Sequence, residues 1–149
     1  MITKLGKENL EKEIKTLQKE LERTYKQRNE AAAEGDLKEN SAYIFMGERA
    51  TVLSSQISEA IDDLKQAIVQ TAPNQTEIIS FGHQISLVFE EDQRKMTLTL
   101  VGKNDARLKP NWISIQSPIG EALIGKKKFD KVSVNDQTIT ITDIAIGEI

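Results

Sequence analysis

Apolar residues follow two different rhythms along the chain, and the change comes near residue 73. In the first half Leu10, Ile14, Leu17 and Leu21 recur at helical spacing, which makes one stripe. Val52 or Leu53, then Ile57, Ala60, Leu64 and Ile68 make a second stripe. Folding the chain near residue 37 sets Leu10 against Leu64, Ile14 against Ala60, Leu17 against Ile57 and Leu21 against Leu53. One turn position satisfies all four pairs. The pattern therefore predicts an antiparallel coiled-coil hairpin over residues 1–72, about 40 Å long at ~1.5 Å per residue. Nearer the turn the facing residues become Thr24, Arg28, Ala31, Ala42 and Met46, several of them small, so that end should be slim. Residues 4–72 contain no proline and are rich in good helix formers.

After a polar, proline-containing connector at 73–77 the alternation becomes two-residue, as in His83-Gln-Ile85-Ser-Leu87-Val-Phe89. Strands are expected at 84–90, 94–101, 111–116, 131–135 and 138–146. Ser117-Pro118 followed by IGEALIGK predicts a short helix with Ser117 as N-cap, Pro118 at its first position and Gly125 just past its end. Residues 78–149 thus read as an antiparallel sheet with one helix on a face, and the whole chain as α+β. Trp112 is expected in the core, and His83 at a strand end on the surface. As the only histidine, His83 cannot found a histidine metal site. Phe81, Phe89, Trp112 and Phe129 are too scattered to predict an aromatic-lined pocket.

Composition narrows the class. With 149 residues, 29% charged and 38% hydrophobic, the chain predicts a folded, soluble protein of one ordinary or two small domains. No apolar run approaches the roughly 20 residues of a membrane helix, and MITKLGKENLEKEIK lacks the apolar core of a signal peptide. The absence of cysteine fits a reducing cytoplasm. A net charge of −3 argues against a protein that coats nucleic acid, so any such contact is local or reached through another protein.

The stretch AEGDLKENSAY, residues 33–43, falls on the turn. Gly35 gives the backbone freedom to end the first helix. Asp36 and Glu39 then permit two readings. At the start of a helix, Asp-x-x-Glu is a capping box, with Asp36 as N-cap and Glu39 three residues in. Two carboxylates are also half of a Mg²⁺ site, since that ion keeps waters and takes one or two acids plus further ligands from elsewhere. The readings are compatible, because a capping carboxylate retains free lone pairs. Asn40 and Ser41 are placed to orient a water or to solvate a first turn, and Tyr43 to pack or to stack on a base. On the outward face Lys12, Lys15, Lys19, Arg23 and Lys26 form a stripe that suits RNA phosphates or, with Glu8, Glu11, Glu20 and Glu22 among them, an ordinary solvated face. Lys126, Lys127, Lys128 and Lys131 gather at the exit of the short helix, where they suit its dipole or an acidic partner.

The motif EGDLKENSAY resembles the tip signature of the Gre transcript-cleavage factors, a family of bacterial elongation factors. WISIQSPIGEALIGKKKFDKVSV and ISFGHQISL resemble two further blocks of that family, in the same order, and the DLKEN and ALIGK segments lean to its GreA branch. The resemblance implies an FKBP-like C-terminal domain docked at the rim of the secondary channel of RNA polymerase. It implies a coiled coil inside that channel, stimulating the polymerase's own cleavage of backtracked RNA. Asp36 and Glu39 would then be catalytic and share a Mg²⁺ with the polymerase, none being held stably by this chain alone. Asn40, Ser41 and Tyr43 would support the tip, and Ser117, Pro118, Ile119, Lys126, Lys127 and Lys128 would dock. Bacterial RNA polymerase and the nascent RNA 3′ end are the implied partners, with no membrane, no nuclease activity alone and a monomeric state. Three positions depart from the family pattern: Arg107 is often acidic there, Phe129 stands where glycine is usual before aspartate, and Asn135-Asp136 replaces a proline-glycine turn. The alternatives are a channel-binding inhibitor whose tip acids only cap a helix, and a coiled-coil adaptor unrelated to polymerase.

Overall fold

A computed structural model describes residues 1–33 and 40–149, and resolves them into two units. One unit is Glu8–Gln66; the other joins Met1–Lys7 to Ala67–Ile149. The hairpin unit lies within the 1–72 expected for the coiled coil, and the first seven residues group with the sheet-bearing unit.

The hairpin unit holds helix α1 (Lys4–Ala32) from Glu8 onward and all of helix α2 (Ser41–Gln66). Leu10, Ile14, Thr24 and Ala31 of α1 are buried, as are Ala50, Leu53, Ile57 and Ala60 of α2. Each large aliphatic side chain so covered is worth about 1.5–3 kcal/mol. Leu53 is fully buried while Val52 is 48% exposed, which settles the phase of the second stripe. Two expectations fail at its ends. Ile68 lies beyond α2 and is exposed, and Ala42 is exposed while its neighbour Tyr43 turns inward. Cross-helix partners are nested, Glu20 with Arg49, Arg28 with Tyr43 and Ala31 with Asn40, which makes the pair antiparallel. Buried Thr24 donates its hydroxyl to the Glu20 carbonyl at 2.8 Å, so no polar atom of this seam position is orphaned.

The second unit carries strands β1 (His83–Phe89), β2 (Arg94–Val101), β3 (Trp112–Ser114), β4 (Lys131–Val134) and β5 (Gln137–Ile146), with helix α3 (Pro118–Leu123). Their order in the sheet is β3-β2-β1-β5-β4. The sheet is mixed, a correction to the antiparallel expectation: β3 runs parallel to β2, while all other pairs are antiparallel. A parallel neighbour needs a connection longer than a hairpin, and residues 102–111 supply it. Ile85, Leu87, Phe89, Leu98, Leu100 and Ile141 belong to one core, closed by Leu123 of α3. Along β5, strict alternation would bring Asp143 inward. The register instead shifts between Ser86 and Leu87, pairing Ser86 with Asp143 but Leu87 with Ile141. Thr142 is the extra residue of this bulge, so Ile144 enters the core and Asp143 stays exposed. Asn135 and Asp136, at φ 51° and 64°, form the two-residue turn between Val134 and Gln137, as the sequence suggested.

His83 is not a surface residue. It is fully buried, in phase with Ile85, Leu87 and Phe89. Its Nδ1 accepts the Ser80 amide at 3.1 Å, so the ring proton sits on Nε2, which donates to the Pro73 carbonyl at 3.1 Å. With both nitrogens satisfied, a neutral imidazole can be buried at little cost.

The start of the chain is tied into this unit by an acid that the sequence did not single out. Ile2 bridges Val69, donating to the Ile68 carbonyl at 3.0 Å and accepting from the Gln70 amide at 2.9 Å. Thr3 caps α1, its hydroxyl oxygen accepting the Gly6 amide at 2.9 Å. Fully buried Asp105 accepts the Thr3 amide at 3.1 and 3.2 Å, the Thr3 hydroxyl at 2.8 Å and the Gly102 amide at 2.9 Å. A carboxylate beside the first turn of α1 is also favoured by the helix dipole. A Cβ on Gly6 would stand 1.7 Å from Asp105 Oδ1, so only glycine allows the approach.

Candidate functional site: the hairpin tip and a groove beside α3

Asp36 and Glu39, the predicted catalytic and metal-binding pair, lie outside the described residues. What surrounds them in the chain is described. α1 ends at Ala32 and α2 begins at Ser41, so the stretch joining the helices contains both acids. The N-cap of α2 is Asn40: its Oδ1 accepts the Tyr43 amide at 3.1 Å and its carbonyl accepts the Ile44 amide at 3.1 Å. The expected capping box of Asp36 and Glu39 lies outside the described residues. The Asn40 side-chain amide also donates to the Ala31 carbonyl at 2.5 Å. One asparagine thus satisfies an orphan donor at the start of α2 and an orphan acceptor at the end of α1.

Behind this clasp the Arg28 Nη2 donates to the Tyr43 hydroxyl at 2.9 Å, and the guanidinium carbon lies 4.5 Å from the centre of the same ring. Tyr43 is half-buried, and the Arg28 contact packs it across the helix pair. Ser41 is exposed. Asn40 and Tyr43, placed among the supporting tip residues, therefore fix the helix ends that flank the acids. Asn40→Ala should destabilise this end by about 1–2 kcal/mol, the sum of a cap and a neutral hydrogen bond, and should speed hydrogen exchange of the Tyr43 amide. Asn40→Asp, which retains the cap and loses the donor, should leave that amide protected while weakening the α1–α2 closure.

Lys12, Lys15, Lys19, Arg23 and Lys26 are all exposed on α1, with Glu8, Glu11 and Glu22 exposed among them. Among the described residues, no group of three or more histidine and acidic side chains is placed to hold a metal ion. No helix of the described residues is long and apolar enough to cross a membrane.

In the sheet-bearing unit, two of the three predicted docking residues at α3 come together with others in a groove of about 470 Å³. Pro118 and Ile119 line it together with Phe89, Met96, Val134 and Arg94. Ser117 holds the helix end, its hydroxyl oxygen accepting the Gly120 amide at 3.1 Å. Sequence reasoning missed Phe89, Met96 and Arg94 because they belong to a hairpin distant along the chain. Their alternating phase around residues 89–96 was the available signal. Lys126, Lys127 and Lys128 lie past the helix and do not line the groove.

Nearby, the Thr140 hydroxyl and then Lys131 hold the Glu90 carboxyl below the ordinary range. A depressed folded pKa contributes stability above the unfolded value that is lost as pH falls through the folded one. Thr140→Val should move Glu90 titration upward, as read by NMR.

The chain is similar to known proteins in both halves. Residues 1–69 match the family described as "Transcription elongation factor, N-terminal", and residues 74–147 match "Transcription elongation factor, GreA/GreB, C-term". Transcription elongation factor GreA of Acidiphilium cryptum is 35% identical over 149 residues, covering 95% of this chain and 94% of that protein. GreA of Rhodospirillum rubrum is 36% identical over 132 residues, covering 87% and 83%. A crystal structure of a GreA factor homolog from Thermus thermophilus aligns over 97% of both chains at 21% identity, with a TM-score of 0.44. Both halves matched in order, and relatives of one kind over almost the full length, place the chain in the GreA/GreB family of transcription elongation factors.

Proposed function

We propose that this protein enters the secondary channel of bacterial RNA polymerase and stimulates the enzyme's own cleavage of backtracked nascent RNA. The observation that carries the reading is the match of both halves to one elongation-factor family. It is supported by a helix pair whose ends are locked together by Asn40 around the stretch that contains Asp36 and Glu39. Two carboxylates are the donor type that Mg²⁺ accepts, and they are too few to hold it without further ligands. Asp36 and Glu39 would hold a Mg²⁺ shared with the polymerase, and such an ion supplies charge stabilisation and an activated water for phosphodiester cleavage. The protein's own contribution is to carry two negative oxygens on a helix pair about 40 Å long and to keep their flanks rigid. Lys12, Lys15, Lys19, Arg23 and Lys26 give α1 a cationic track for the displaced RNA 3′ segment. The α3 groove, lined by Phe89, Met96 and Ile119 with Arg94 and Lys95, suits a partner helix with aliphatic and acidic side chains. The chain acts as a monomer in the cytoplasm and is no nuclease alone.

The test is direct. Purified protein added to a backtracked elongation complex should release short RNA 3′ fragments, and the same protein with naked RNA should release none. Equal polymerase binding with no released RNA would instead support the channel-binding inhibitor.

A further inference from the structure

Phe129 is the largest exposed apolar side chain of the sheet-bearing unit, 71% accessible, and it sits at φ 72°. Among the described residues, the other non-glycine positions at positive φ are Gln93, Asn111, Asn135 and Asp136, all polar. A bulky aromatic is crowded in that conformation and glycine is not. Nothing in the packing requires the ring, since it is exposed. The turn beneath it is nevertheless fixed. The Phe129 amide donates to the Ile141 carbonyl at 2.7 Å, the Asp130 amide to the Lys127 carbonyl at 3.1 Å, and the Lys127 amide to Asp130 Oδ2 at 2.8 Å. The ring is thus held outward on a rigid mount, which is the condition under which an aromatic side chain binds with little ordering cost.

Charge around it is asymmetric. Lys128 lies over the ring, 5.1 Å from its centre, and pairs with Asp143 at 3.6 Å; Lys131 pairs with Glu90 at 3.0 Å. Lys126 and Lys127 are exposed and make no ion pair among the described residues. We propose that Phe129, with Lys126 and Lys127, is a docking knob for a protein surface of mixed charge, with an apolar socket for the ring and acidic side chains facing the two lysines. This deepens the reading above, since it gives the polymerase a second contact on this chain, separate from the α3 groove. A protein is favoured over RNA as the occupant because Asp130, Asp143 and Glu90 are interleaved with the lysines. Those acids would repel a continuous phosphate backbone, while a protein surface of mixed charge can match them.

Titrating labelled core polymerase with wild-type protein, Phe129→Gly and the double variant Lys126→Glu, Lys127→Glu tests this. Phe129→Gly should weaken binding at least about tenfold while its urea midpoint stays equal or rises, because glycine accepts the backbone conformation. The double variant should weaken binding and flatten its salt dependence. Wild-type binding unchanged by either variant overturns the knob and leaves the proposed function standing. A wild-type protein that fails to bind polymerase overturns both. Binding of a single-stranded RNA oligonucleotide alone, lost in Phe129→Gly, would also overturn the knob in favour of a nucleic-acid contact.

Discussion

Asp36→Asn should reduce RNA release from backtracked complexes by about a hundredfold, as expected for weakening one ligand of a shared ion. It should leave the urea midpoint and polymerase affinity unchanged. The substitution is nearly isosteric; it removes the charge and turns one acceptor oxygen into a donor amide. Because Asn40 caps α2, the head of that helix keeps its cap in the variant. Glu39→Gln should behave alike. The double variant should be little worse than either single one, since two ligands of one ion act as a unit and their effects do not add. A drop in midpoint that tracks the drop in cleavage would assign both acids to structure instead.

The second large effect is on stability. Asp105→Ala should destabilise the sheet-bearing unit by about 3–5 kcal/mol, because it strands the Thr3 and Gly102 amides in a dry site. Asp105→Asn should cost about 2–3 kcal/mol, since its amide would face donors where a carboxylate oxygen now accepts. Exposed Arg107, two residues along, provides the contrast: Arg107→Glu should stay within about 0.5 kcal/mol. Urea unfolding followed by Trp112 fluorescence reads this unit, since that residue is buried in β3.

Periodic features were legible in the sequence. The two leucine-rich stripes gave the helix pair, and the period-two runs gave all five strands to within a few residues. Ser117-Pro118 and Gly125 gave α3, with Gly125 at φ 82° just past its end. Features that depend on meeting partners far along the chain were not legible. Asp105 resembles any loop acid until Thr3 arrives from the other end of the sequence. His83 was misplaced because a lone histidine is usually polar surface, whereas its alternation phase already put it beside Ile85 and Leu87. The parallel placement of β3 depended on how residues 102–111 run, which alternation does not encode. At the tip, the motif identified the acids, but spacing alone favoured Asp36 as the cap. The observed cap of α2 is Asn40, and Asp36 and Glu39 lie outside the described residues.

The central claim is that two carboxylates on this chain help complete a metal site inside a larger enzyme. Its most direct test is the Mg²⁺ dependence of cleavage by backtracked polymerase, with and without the protein. Wild-type protein should shift the midpoint to lower Mg²⁺ and Asp36→Asn should return it to the value of polymerase alone. An unchanged midpoint with accelerated cleavage, or the same shift from Asp36→Asn, would contradict the account.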